Sequence, residues 1–144
     1  MRTRIARTSA FALVIFLAGY WIGGSRSTVR AEAANRVFEL RTYHTYDGKL
    51  DALLTRFREH TVGLFNDHGM TSVGYWLPTD EPLRGKTLVY MLAFPSREAA
   101  AKDWAEFRSD PKWQKVATDS EANGKLVEKV DSVFLEPADF SHIK

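Results

Sequence analysis

The sequence contains no cysteine. That excludes a disulfide framework, thiolate catalysis, a cysteine–zinc centre and a lipid-modified cysteine. It also lacks the GxGxxG, GxxxxGKS/T and GxSxG runs. Without them there is no glycine cradle for a dinucleotide or a triphosphate, and no serine nucleophile elbow. Histidine is scarce and badly spaced for a metal. His44, His60 and His68 are separated by 16 and 8 residues, so no HxH or HxxxH pair exists. Zinc needs three or four converging ligands, so no metal is expected. His60 reads as a helix-edge residue, His68 as a helix-end capping residue, and His142 lies in a polar tail. No cofactor is expected either. No low-complexity segment is present, and no internal repeat beyond a weak βαβ–βαβ doubling.

What is present begins with a targeting segment over residues 1–33. Arg2, Arg4 and Arg7 precede an apolar run of 15 residues, Ala10 to Gly24. This suits a signal h-region and is short for a membrane span, which takes about 20 residues. Ala31-Glu32-Ala33 offers a cleavage site before Ala34. Arg26 and Arg30 intervene, however, and Tyr20 and Trp21 suit a membrane interface. Two fates therefore stand open. One is export by the Sec route with cleavage, giving a periplasmic or secreted protein. The other is an uncleaved anchor formed by residues 10–24. Either places the remaining domain, residues 34–144, outside the cytoplasm, touching membrane only through the N-terminal segment.

The leader also explains the charge. The whole chain has 20 basic and 18 acidic residues, net +2. Residues 1–33 hold five of the basic residues and one acidic, leaving 15 against 17. The domain is slightly acidic, which argues against a nucleic-acid partner.

The domain itself reads as alternating strands and helices. Val37 to His44 alternates with period two, and Asp47-Gly48 marks a turn. From Lys49, the residues Leu50, Leu53, Leu54, Phe57, Thr61, Leu64 and Phe65 recur at three- and four-residue spacing, one face of a single long helix. Lys49, Arg56, Arg58 and Glu59 fall off that face. Gly69 caps the helix, and Met70 to Leu77 forms a second strand ended by Pro78. After the Thr79–Gly85 turn, Lys86 to Phe94 is an inner strand, uncharged from Thr87 on and expected to be covered on both faces. Ser96 caps a helix over Arg97–Ser109 with Ala100, Trp104 and Phe107 inward, and Asp110-Pro111 starts another with Trp113, Val116 and Ala117 on its apolar side. Lys125 to Leu135 is the last strand, again expected to be covered on both faces.

The first strand supplies the best site candidates. Phe38, Leu40, Thr42 and His44 share one face, and this apolar face is expected to meet the helices. Val37, Glu39, Arg41 and Tyr43 share the other, expected to line a cavity or a dimer interface. Ser72 and Trp76 of the second strand are placed to join them. Arginine binds a carboxylate or an enolate, and tyrosine donates a proton to a developing oxyanion. The plainer alternative is a structural ion pair, since buried charges must be paired wherever they occur.

Four separated blocks resemble one family. ELRTY at 39–43, HGM leading into VGYW at 68–76, DPKWQ at 110–114 and SVFLEPADFS at 132–141 are similar to NIPSNAP proteins, over about residues 37 to 141. The resemblance implies an α+β fold. It would be a ferredoxin-like βαββαβ unit with a four-stranded antiparallel sheet and helices on one face, pairing as a dimeric α/β barrel. It carries over no catalytic residues. Three functions fit: a small anionic or carbonyl ligand bound in or near the barrel of a homodimer, with a cofactor-free oxygenase or isomerase as its enzymatic form; a non-enzymatic interaction module, as NIPSNAP relatives are discussed in signalling and vesicle contexts; or a membrane-anchored structural partner.

Overall fold

A computed structural model describes residues 36–144, and the expected leader and cleavage site over residues 1–33 lie outside them. The elements run in the expected order: β1 (Val37–Thr45), α1 (Leu50–Arg56), a π-helical turn (Phe57–Thr61), α2 (Val62–Asp67), β2 (Thr71–Trp76), β3 (Thr87–Phe94), α3 (Arg97–Ser109), α4 (Pro111–Ser120) and β4 (Val127–Leu135). The four strands form one antiparallel sheet in the order β2-β3-β1-β4. The fold is α+β and ferredoxin-like, with the helices on one sheet face. No helix among the described residues is long and apolar enough to cross a membrane.

The core lies between sheet and helices. Leu53 and Phe57 from the first helical segment, Phe65 from α2, and Trp104 and Phe107 from α3 pack on Leu88, Tyr90, Leu92 and Phe94 of β3. Each such buried side chain stabilises by about 1.5–3 kcal/mol. Tyr90 sits at the centre, its ring 5.3 Å from both Tyr43 and Phe57 and 5.7 Å from Tyr75. Caps are where the sequence put them. Ser96 accepts from the Ala99 amide, and Asp110 accepts from the Lys112 amide with Pro111 opening α4.

Four expectations need correction. The first helix is not continuous. The buried Thr61 hydroxyl donates to the Arg56 carbonyl (3.2 Å), and the Val62 amide reaches the Phe57 carbonyl, each five residues back. A buried hydroxyl that captures a backbone carbonyl opens the helical ladder there. Arg56 is not on a solvated face but buried against α4. β4 is not covered on both faces. It is an edge strand: Val133 and Leu135, paired with Leu40 and Phe38, are exposed on the open face, and Val130, paired with Tyr43 on the helix side, is exposed as well.

The fourth correction concerns the sheet faces. Val37, Glu39, Arg41 and Tyr43 lie under the helices, in register with Phe94, Leu92, Tyr90 and Leu88. The face carrying Phe38, Leu40, Thr42 and His44 is the open one. Polarity misleads here because the helix layer brings its own donors to the charged row.

Candidate functional site

Glu39 is 2 % exposed and fully partnered. Its Oε1 accepts from Arg41 Nη1 and from the Ser132 hydroxyl, both at 2.6 Å, and its Oε2 accepts from the Trp104 indole N–H at 2.5 Å. The Arg41 guanidinium lies over the Trp104 ring at 4.3 Å and over Tyr43 at 5.6 Å. Burial works against the Arg41 charge. Tyr43, Tyr90 and Glu39 more than offset it, so its pKa is raised. Burial pushes the Tyr90 phenol well above its ordinary value, so it stays neutral. Two polar atoms of this cluster, Arg41 Nε and the Tyr90 hydroxyl, are buried without a hydrogen-bond partner among the described residues.

The second strand splits its two candidates. Ser72 pairs with Leu92 on the helix-covered face, and its hydroxyl bonds Tyr75 at 2.7 Å. Burial raises the Tyr75 phenol, and the Ser72 bond partly opposes that. A bulge then lies between Ser72 and Gly74. One extra residue flips every later side chain to the other face. Tyr75 therefore joins Tyr90 under the helices, and Trp76, expected beside Ser72, lies on the open face opposite Val89. The structure thus brings together Glu39, Arg41 and Tyr43, links Ser72 to them only through the rings of Tyr75 and Tyr90, and excludes Trp76.

The histidines stand apart. His44 bonds Asp131 at 3.0 Å on the open face, His68 bonds Asp110 at 2.9 Å, and His60 is half-exposed beside Glu59. Lys129 and His44 together hold the Asp131 carboxyl below its ordinary value. Among the described residues no three His, Asp or Glu side chains are arranged to hold a metal.

A cavity of about 490 Å³ opens on the uncovered face of the sheet. Its floor is Phe38, Met91 and Leu135, and its roof is the segment from Glu136 to Ile143. That segment is folded back on itself: Lys144 Nζ donates to the carbonyls of Ala138 (2.7 Å) and Asp139 (2.8 Å), and the Ser141 amide to Ala138. The walls are mostly apolar, with Glu136, Ser141 and His142 as polar groups. This is the composition of a small-molecule site. The sequence signalled it weakly, through Phe140 and Ile143 in an otherwise polar tail.

The NIPSNAP family model matches residues 38–142. The chain belongs to the NIPSNAP family. A NIPSNAP family protein of Agrobacterium tumefaciens is 23 % identical, with a TM-score of 0.68 over 76 % of this chain and 100 % of that one. A NIPSNAP-like domain protein of Burkholderia xenovorans is 18 % identical, with a TM-score of 0.66 over 75 % and 90 %. A variant of SnoaB, a cofactor-independent oxygenase of Streptomyces nogalater, is 14 % identical, with a TM-score of 0.51 over 77 % and 100 %, a likeness of fold alone. No curated protein matches this NIPSNAP chain.

Proposed function

We propose that this NIPSNAP domain binds a small molecule on the open face of its sheet, outside the cytoplasm, as a homodimer whose second sheet faces the cavity. The apolar cavity between Phe38, Met91 and Leu135 and the C-terminal segment carries the reading. A ligand with a compact apolar body fits its walls, and Ser141 and His142 offer hydrogen bonds to a carbonyl end, while Glu136 in the same lining disfavours an anionic one. The exposed Trp76 and Val133 support pairing of the same face, since a two-layer domain leaves its second sheet face uncovered. Export is supported by the basic and apolar leader. Native mass spectrometry of the protein from its natural host is expected to show a leaderless or anchored dimer with a retained small molecule. A ligand-free monomer overturns the proposal.

A second reading puts the ligand under the helices. The observation favouring it is the pair of buried unpartnered atoms, Arg41 Nε and the Tyr90 hydroxyl. Burying such groups without a partner costs about 1–3 kcal/mol each, and a small carbonyl compound would recover part of that.

A further inference from the structure

The chain enters and leaves the sheet at one corner. Phe38, near the start of β1, pairs with Leu135, at the end of β4. Arg36 donates from Nη1 to the Lys144 main-chain oxygen at 3.4 Å. The leader therefore joins the fold beside the segment that follows β4.

That segment carries the two most exposed large apolar side chains among the described residues, Phe140 at 85 % and Ile143 at 55 %. The backbone that presents them is tied down. The Lys144 ammonium donates to the Ala138 and Asp139 carbonyls, the Ser141 hydroxyl to the Ile143 carbonyl, and the Phe140 amide to Asp139 Oδ1. Apolar surface held in water forgoes the gain of burial, and so prominent a pair marks a contact site. The charges around it balance, Arg36 and Lys144 against Glu136 and Asp139. The partner is therefore selected by apolar contact rather than by charge.

One such partner is already attached to the chain. The apolar run ends at Gly24, and the residues from there to Arg36 span at most roughly 40 Å. If residues 10–24 stay in a bilayer, this corner is the part of the domain that the tether holds beside it. A contact too weak to hold a free protein becomes effective once it is intramolecular.

We propose that, in the anchored form, Phe140 and Ile143 dip into the bilayer interface and seat the domain on the membrane by this corner. The partner is a phospholipid surface, with no requirement for anionic headgroups. Membrane contact then extends beyond the N-terminal segment, and Phe140 lies outside any interface between two copies. The inference rests on the uncleaved fate of the leader and does not depend on a ligand in the open-face cavity.

The lack of cysteine allows one nitroxide label at a chosen position. Full chains carrying Phe140→Cys, Ile143→Cys or Lys102→Cys are labelled and placed in phosphatidylcholine nanodiscs. All three side chains are exposed, so the core is untouched. Power-saturation EPR compares collisions with oxygen, which concentrates in lipid, and with a nickel chelate, which stays in water. The labels replacing Phe140 and Ile143 are expected to favour oxygen over nickel several-fold more than the label replacing Lys102. Equal nickel access at the Phe140 and Lys102 positions overturns the proposal, because the segment is then in water. Shielding of the Phe140 position from both reagents also overturns it, because protein such as a second copy then covers the site. Mass spectrometry of the same sample separates the two readings. A chain lacking residues 1–33 removes the uncleaved leader and the proposal with it, whereas a full-length chain with a water-exposed label at the Phe140 position removes the proposal alone.

Discussion

Trp104 of α3 donates its indole N–H to the carboxylate of Glu39 on β1, and that single bond ties the helix layer to a charged residue of the central sheet. The same carboxylate holds Arg41 and Ser132. Such a network behaves as a unit. Arg41→Gln leaves Glu39 buried without its counter-charge and is expected to cost about 3–5 kcal/mol. Trp104→Phe removes one donor and is expected to cost about 1–3 kcal/mol. Thermal melts of the two single variants and the double variant measure the coupling. If Arg41→Gln melts like the parent but loses a retained ligand, the row is a binding site under the helices and not a structural pair.

A second tie joins the end of α2 to the start of α4. Asp110 caps α4 through the Lys112 amide at 2.7 Å and bonds His68 at 2.9 Å. The His68 bond, then the Lys112 amide, hold its carboxyl below the ordinary value of 3.8. A depressed carboxyl stabilises the fold above its unfolded pKa, and that contribution is lost as pH falls through the lower folded value. Asp110→Asn is therefore expected to lower the melting temperature at pH 7 and to flatten the acid limb below 3.8. Melts at matched ionic strength across both ranges check this. An unchanged acid limb would show that Asp110 carries no linkage.

Much of the fold was legible because it rests on periodicity. The alternation of Leu88, Tyr90, Leu92 and Phe94, the helical spacing from Leu50 to Phe65 and the caps at Ser96 and Asp110 are local signals, and each is where it was expected. The candidate site was only half legible. Alternation alone groups Glu39, Arg41 and Tyr43 correctly, but it cannot say which face the helices cover. That depends on Trp104, 65 residues away, arriving with a donor. The bulge that removes Trp76 from Ser72's face leaves one weak trace in the sequence, Gly74, since a glycine inside a strand often marks such a bulge. The cavity under the C-terminal segment depends on contacts between Phe38 and residues about a hundred positions later, which no local pattern encodes.

Gly74 gives a direct check on the bulge. A Cβ built there would lie 2.7 Å from two ring carbons of Trp76, so the indole lies against the bare backbone. Within one protomer Trp76 is half-exposed, which leaves room for its ring to turn aside. Gly74→Ala is therefore expected to change stability by less than about 1 kcal/mol while moving the Trp76 emission to the red, read as a difference against the same change in a Trp76→Phe background. A large loss of stability would instead mean that the indole is fixed and that the backbone has to move.

The open face provides the decisive test of assembly. Met91 is half-buried at the centre of that face, opposite Leu40, and Trp76, Val133 and Leu135 around it are exposed. If a second copy covers this face, Met91 becomes fully buried, and Met91→Asp places an unpaired charge in the interface at a cost of several kcal/mol. If nothing covers it, the introduced carboxylate remains reachable by water and the change is nearly silent. Light scattering of the full chain in detergent is expected to give a dimer at micromolar concentration for the parent and a monomer for Met91→Asp, with Lys102→Asp, on the exposed side of α3, remaining dimeric. A parent that is monomeric throughout removes the homodimer. The uncovered apolar face would then have to serve another protein, and the interaction-module reading would replace the small-molecule one.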